Sequence, residues 1–270
     1  MAMVEIGDLK EIVLRASKLM TREDMPRIAR QRSFTDYTTA TDIAVEDQIR
    51  KELKERYPSS LLVAEESSSL EYGEDWARSA FVLDPIDGTI NFFHHLGTSA
   101  VSLAYVENGE VLHGIIYDPY REELFSATRG EGAYMNGHAV KTSLTCDLGN
   151  SLVGFGTSPY SKEKGLEMLR VAADVYLNCQ DLRRLGAAAI DLAYVACGRL
   201  DAFFEKDLKP WDFYAGMLII SEAGGIISDW EGLPVRGLEK QDILAASPAL
   251  HKKMLSLLEG YTGKGHFSEI

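Results

Sequence analysis

The sequence predicts a mixed protein, part α+β and part α/β, in which layered sheets are covered by helices. Two observations carry this. Short apolar runs alternate with amphipathic helical stretches over much of the chain, as sheets with helices packed on them require. Between Thr98 and Asn136-Gly137 the apolar runs are joined instead by tight turns, which makes an antiparallel meander. The 270 residues suffice for one large domain or two small ones. A content of 46% hydrophobic and 26% charged residues is ordinary for a globular chain and excludes disorder, collagen and coiled coil. The pattern shifts again near Cys146. The expected division is an N-terminal α+β unit, residues 1–146, and a C-terminal α/β unit, residues 147–270.

Each element has a local reason. Ile6, Leu9, Val13, Ala16 and Met20 fall on one face of a first helix. Arg27 to Thr41 is polar and reads as a loop, a candidate mobile lid. A second helix follows, capped by Thr41 or Asp42, with Val45, Ile49, Leu53 and Tyr57 at spacing four and Pro58 as its stop. Leu61 to Ala64 is a strand ending at Glu65-Glu66. Phe81 to Asp84 is another, stopped by Pro85, which fixes its own φ and lacks a donor. Thr89 begins a short helix, Ile90 to His94. The meander strands are Thr98 to Val106, Val111 to Tyr117 and Glu122 to Thr128. Beyond Asn150 come a strand Ser151 to Phe155, a helix Lys162 to Leu177, a helix Gly186 to Cys197 and a strand Leu200 to Glu205. A helix Asp212 to Ala223 ends at Gly224-Gly225, followed by strands Gly225 to Ser228 and Asp242 to Ala246 and a last helix opened by Pro248.

Composition narrows the function classes. The chain carries 28 Lys and Arg against 41 Asp and Glu, a net charge of −13. Bulk attraction to nucleic acid needs the opposite balance, and no nucleic-acid partner is expected. No apolar run reaches membrane-spanning length, so no membrane partner is expected. Glu5, Asp8, Lys10, Glu11 and Arg15 interrupt the first helix, which does not read as a signal peptide. The three cysteines have no zinc or redox spacing, and a cytoplasmic location is expected.

Three acidic segments sit where elements end: Ala64-Glu65-Glu66-Ser67, Asp84-Pro85-Ile86-Asp87-Gly88-Thr89, and Pro210-Trp211-Asp212. Asp84 and Asp87 flank a bend, and Gly88 permits a tight turn. The amides of Gly88, Thr89 and Ile90 open a helix and suit a phosphate. Carboxylates beside phosphate repel it unless divalent cations intervene. Oxygen donors without His or Cys select hard ions such as magnesium. Taken alone, Asp-Pro-x-Asp-Gly is equally well a capped surface turn.

These segments, with Asn91-Phe92 after the second and Glu222-Ala223-Gly224-Gly225 after the third, resemble the inositol monophosphatase family of magnesium-dependent, lithium-sensitive phosphatases. Thr39-Ala40-Thr41-Asp42, Gly130-Glu131-Gly132-Ala133, Asn136-Gly137 and Gly186-Ala187-Ala188-Ala189 stand in the family's order too. The resemblance implies a layered α/β/α/β/α sandwich of the sugar-phosphatase type and a homodimer. It implies two or three Mg2+ per site. Glu65, Asp84 and the carbonyl of Ile86 would be ligands of the first ion, and Asp84, Asp87 and Asp212 of the second. Thr89, with Glu65, would orient and deprotonate water. Gly88 and Thr89 would hold phosphate, and Gly186, Ala188 and Glu205 would contact an inositol ring. One departure is Arg30-Gln31-Arg32-Ser33, where family members often carry a lysine.

The implied activity is hydrolysis of inositol monophosphate or a related sugar phosphate. Fructose 1,6-bisphosphate, NADP, histidinol phosphate and 3′-phosphoadenosine 5′-phosphate remain as alternative substrates. An aspartyl-nucleophile phosphatase needs two aspartates separated by one residue, whereas Asp84 and Asp87 are separated by Pro85 and Ile86. A non-enzymatic binding protein on the same fold is the third reading.

Overall fold

The computed structural model describes residues 3–22, 29–31, 37–67, 75–157 and 162–261. Helix α1 (Ile6–Ala16) buries Leu9, Ile12, Val13 and Ala16, the face that the apolar spacing predicts. Strands β1 (Ala29–Gln31) and β2 (Tyr37–Thr39) pair antiparallel, so part of the expected loop is a strand pair. Arg32 and Ser33 of that segment lie outside the described residues. Helix α2 (Ala40–Arg56) is capped by Thr39, ahead of the expected Thr41 or Asp42. Thr39 Oγ1 accepts from the amides of Thr41 and Asp42, and Asp42 Oδ2 accepts from the Thr39 amide at 2.9 Å, which closes a capping box.

The first sheet begins with β3 (Leu61–Ala64), which runs parallel to β4 (Ser79–Asp87). Pro85 does not stop β4. The strand continues to Asp87 with its register shifted between Asp84 and Asp87, a bulge that accommodates the missing donor. Helix α3 (Thr89–Phe93) follows the left-handed Gly88. The meander is β5 (Ala100–Glu107), β6 (Glu110–Asp118), β7 (Glu123–Thr128), β8 (Ala133–Met135) and β9 (His138–Ala139). It completes a seven-stranded sheet in the order β3-β4-β5-β6-β7-β8-β9. Asn108-Gly109 and Asn136-Gly137 have positive φ at both residues, as their hairpin turns require.

The second sheet is built from β10 (Leu152–Phe155), β11 (Asp181–Arg183), β12 (Ala202–Leu208), β13 (Ile226–Ser228) and β14 (Gln241–Ala246). Its order is β11-β10-β12-β14-β13. β10 is parallel to both of its neighbours, and β14 is antiparallel to β12 and β13. The helices of this half are α4 (Lys162–Tyr176), α5 (Ala188–Ala196), α6 (Pro210–Glu222) and α7 (Pro248–Leu258). β11 is absent from the sequence reading, because a three-residue strand containing Asp and Arg carries no apolar period.

Three buried clusters define the layers. α1 and α2 pack on one face of the first sheet, on Phe81, Leu83, Leu103 and Ile115. α5 and α6 fill the space between the sheets, touching Val82, Ala104 and Ile116 on one side and Phe203, Ile243 and Ala245 on the other. α4 and α7 cover the far face of the second sheet through Met168, Val171, Leu250 and Met254. The order is α/β/α/β/α, as the resemblance implies. The central pair is almost wholly apolar, and its cluster spans residues on both sides of position 146.

The helices sit close because small residues line the contact. A Cβ on Gly114 of β6 would lie 2.7 Å from the Ala215 carbonyl oxygen of α6. Backbone cannot yield as a side-chain end can, so Gly114→Ala should destabilise the fold by about 1–3 kcal/mol. Urea unfolding should show a lower midpoint with an unchanged m-value. An unchanged midpoint would mean that α6 shifts without cost.

Candidate active site

The three acidic segments converge on one pocket. Glu65, Asp84, Ile86, Asp87, Gly88, Thr89, Gly186, Ala188, Glu205 and Asp212 all line it. Every residue that the sequence reading singles out for the site is therefore brought to one place. Glu65 follows β3, and its amide donates to the Leu83 carbonyl at 3.2 Å, holding it beside the end of β4. Asp84 and Asp87 lie on either side of the β4 bulge. Glu205 comes from β12, and Asp212 stands in the first turn of α6.

The three aspartates are positioned by backbone donors. Asp84 Oδ1 accepts from the Ile86 amide at 2.9 Å. Asp87 accepts from the Ala188 and Ala189 amides, at 3.2 and 2.8 Å, at the start of α5. Asp212 Oδ2 accepts from the Lys209 amide at 2.8 Å. Asn91 ties the turn to the loop ahead of α5, donating to the carbonyls of Thr98 and Leu185. Gly88 adopts φ +82°, and a Cβ there would lie 3.0 Å from Ala187 Cβ, so only glycine fits.

Crowding shifts the carboxyls upward. Burial, with Asp212 next, pushes Glu65 to about 8. Burial pushes Asp87 to about 7 against the two α5 amides, and Asp212 to about 7 with Asp87 adding. Burial holds Asp84 well above the usual carboxylate range, with Glu65 and Asp87 contributing. A cation is the simplest means of ionising such a group at neutral pH, and an all-oxygen donor set fits magnesium. Among the described residues no three acidic, histidine or cysteine side chains form a ready-made metal cage. The fit lies in the donor chemistry.

Three residues absent from the predicted site belong to it. Asp42, expected only as a cap, receives a hydrogen bond from Thr89 Oγ1 at 3.3 Å, while the same hydroxyl lies 3.0 Å from the Ile86 carbonyl. Burial pushes Asp42 to about 7, opposed by its bond from the Thr39 hydroxyl. Lys209 lines the pocket beside Trp211, 5.0 Å from its ring centroid, and draws Glu65 and Asp212 back toward ionisation. A cation thus stands next to motifs that contain none. Asp191 lines the pocket from α5. Its signal in the sequence is a lone acid within an otherwise apolar helix.

Comparison with known proteins agrees with this geometry. The model of the inositol monophosphatase family matches residues 6–262. The chain belongs to that family. It is 40% identical to the Nus factor SuhB of Escherichia coli (strain K12) over 228 residues, 84% of each chain. Its fold superposes on the extragenic suppressor protein SuhB of Bartonella henselae with a TM-score of 0.85 at 32% identity, covering 96% of this chain and 98% of the other. The Thermotoga maritima IMPase gives a TM-score of 0.82 at 28% identity, over 92% and 94% of the two chains. SaIMPase-II, solved with inositol monophosphate bound, gives 0.78 at 27% identity, over 94% and 92%.

The raised carboxyls make a linkage prediction. Each binds its proton more tightly in the folded than in the unfolded state. The stability they contribute to the metal-free protein is present at low pH and is lost as pH rises through about 7 for Asp42, Asp87 and Asp212 and about 8 for Glu65. The metal-free Tm should therefore fall between about pH 5 and pH 8.5, and magnesium should restore more at the upper end. A magnesium gain that is equal at both ends would show that these carboxyls do not bind the ion.

Proposed function

We propose that the protein is a magnesium-dependent phosphomonoesterase that hydrolyses inositol monophosphate or a related sugar phosphate with an activated water. The observation that carries this reading is the pocket itself, where four crowded carboxylates surround a glycine turn ending in Thr89. Glu65, Asp84 and the Ile86 carbonyl would hold one ion, and Asp84, Asp87 and Asp212 a second. Such ions supply Lewis acidity toward the phosphoryl oxygens and lower the pKa of a bound water. Two or three per site are expected by resemblance.

The protein's own groups have distinct tasks. The amides of Gly88 and Thr89 receive the phosphoryl oxygens. Glu65 faces the attacking water. The Thr89 hydroxyl orients that water, and its own proton is shared between the Ile86 carbonyl and Asp42 Oδ1. In the expected relay this hydroxyl passes the water's proton to Glu65; its bond to Asp42 puts Asp42 at the end of that relay, so the water's proton enters the hydroxyl as the hydroxyl's own proton passes to Asp42. Asp42 is fixed by the α2 capping box, so it holds the hydroxyl from a rigid helix end. Gly186, Ala188 and Glu205 form the wall toward the alcohol part of the ester, and Glu205 accepts from its hydroxyls.

The relatives named Nus factor SuhB support a second reading, in which the chain acts through a macromolecular partner, with or without catalysis. Among the described residues no helix is long and apolar enough to cross a membrane. The family resemblance further supports a homodimer inhibited by lithium, and the composition supports a cytoplasmic protein without direct nucleic-acid binding.

Turnover separates the readings. Wild-type protein should hydrolyse inositol 1-phosphate and p-nitrophenyl phosphate in magnesium and lose both activities in EDTA. Asp87→Asn or Asp212→Asn should abolish turnover with the fold retained by circular dichroism. Activity that survives EDTA and dialysis would reject the metal mechanism. A wild-type protein inert toward these esters would leave the partner reading in its place.

Thr89→Ala should lower kcat by about 10²-fold, the size expected for a lost general-base element, whereas Thr89→Ser should keep most of it. Asp42→Asn should fall between wild type and Thr89→Ala. Equal rates for Thr89→Ala and wild type would remove the hydroxyl from the chemistry.

A further inference from the structure

Asp191 is buried in α5, 1% exposed, yet faces the active-site pocket. Its Oδ1 has no hydrogen-bond partner among the described residues. An uncompensated buried carboxyl oxygen is costly, and a protein that retains one has a use for it or fills it with a ligand or water. Its electrostatic neighbours across the pocket are Glu205 of β12, Asp87 of β4 and Arg184, which follows β11.

The neighbouring strand is shaped around this carboxyl. Gly154 lies in β10 and Gly156 directly follows that strand, two positions on, its amide donating to the Phe204 carbonyl of β12 at 3.2 Å, so both present the same face. A Cβ on Gly154 would lie 2.8 Å from Asp191 Oδ1, and a Cβ on Gly156 would fall 1.9 Å from Glu205 Cδ. Neither glycine has positive φ, so backbone strain does not demand them. The Asp191 carboxyl, together with Leu200 and Phe203, takes the space beside Gly154, and the Glu205 carboxyl takes the space beside Gly156. The Gly154-Phe155-Gly156 run is thus the back wall of an acid pair and does not belong to a dinucleotide site.

The geometry points to Asp191 as a specificity-determining residue, a second carboxyl that works beside Glu205 to hold neighbouring hydroxyls of the alcohol part of the substrate. Two acceptors on one wall of the pocket suit a polyol, which presents several hydroxyls. They do not suit an aryl or simple alkyl ester, which presents none. The inference rests on the reading of the pocket as the site of a phosphate ester, and it adds which ester the wall selects.

Binding measured without turnover tests it. Wild type, Asp191→Ala, Asp191→Asn and Gly154→Ala would be titrated calorimetrically with inositol 1-phosphate and with phenyl phosphate, in calcium to hold the site without hydrolysis. The readout is the ratio of the two affinities. Asp191→Ala should lower that ratio by up to about tenfold, as for a lost hydrogen bond. Asp191→Asn, which keeps the shape and one acceptor oxygen, should recover part of it. Gly154→Ala should lower it by displacing the carboxyl with no change to Asp191 itself. Urea midpoints would be read on the same samples, since a purely structural role would move stability and both affinities together. Equal losses on the two esters, or no loss, would overturn the proposal, as would a wild type that binds neither. A wild type that binds inositol 1-phosphate selectively but does not hydrolyse it in magnesium would reject the phosphatase reading and leave the role of Asp191 standing.

Discussion

The structure is organised around mutual repulsion of buried carboxylates. Glu65, Asp84, Asp87, Glu205 and Asp212 face one another across a pocket whose walls come from both sheets. Left unbalanced, such a cluster would open the protein at neutral pH, because each charge raises the cost of the next. Two features offset it within the chain. Backbone amides are aimed at Asp84, Asp87 and Asp212, and Lys209 is placed against the outer wall. Neither overcomes the cost of burial, which together with the neighbouring acids keeps the carboxyls shifted upward. The residual charge is what a divalent ion would meet. The affinity for metal and the instability of the metal-free pocket are two faces of one electrostatic excess.

That excess also fixes where the helices stand. Asp87 lies in the first sheet, but each of its carboxyl oxygens accepts from an amide at the start of α5, which packs between the sheets. Ser102 of β5 donates to the Trp211 carbonyl at 3.0 Å and locks the entry of α6 to the same sheet. The apolar core beneath, shared by α5, α6 and both sheets, makes these short polar ties rigid. A pocket assembled from residues more than a hundred positions apart in sequence thus depends on the packing of one apolar helix pair, with Gly114 and Gly216 allowing the close approach. Repacking the middle layer would therefore move the groups that hold Asp87 and the entry of α6.

Much of this was legible in the sequence, and the failures have definite causes. Apolar spacing located α1 and α2 and their buried faces. Asn-Gly pairs located the hairpins, because few residues tolerate positive φ twice in succession. The acid motifs located the pocket. Pro85 misled as a stop because a bulge lets the strand pass through a residue without a donor. Asp42 was legible as a cap but not as the partner of Thr89, since nothing in the local pattern reports a contact 47 positions away. β11 lacked any apolar period. Lys209 stands one residue before Pro210 and outside the motif as written, so its charge escaped a reading confined to the motif.

The glycines show why side-chain identity alone under-reports a site. Gly88 is forced by backbone conformation, and its requirement can be read from the turn that contains it. Gly154 and Gly156 do not have positive φ, and no local rule calls for them. Their cause lies in the third dimension, where Asp191 and Glu205 occupy the volume that a larger residue would take. A strand that gives up packing at two same-face positions loses burial and gains conformational entropy to be paid on folding. Such a loss is retained where the vacated volume serves a purpose, and here it is filled by two acids that line the pocket. The wall of the pocket is therefore specified as much by the residues withheld from β10 as by the acids that project past it.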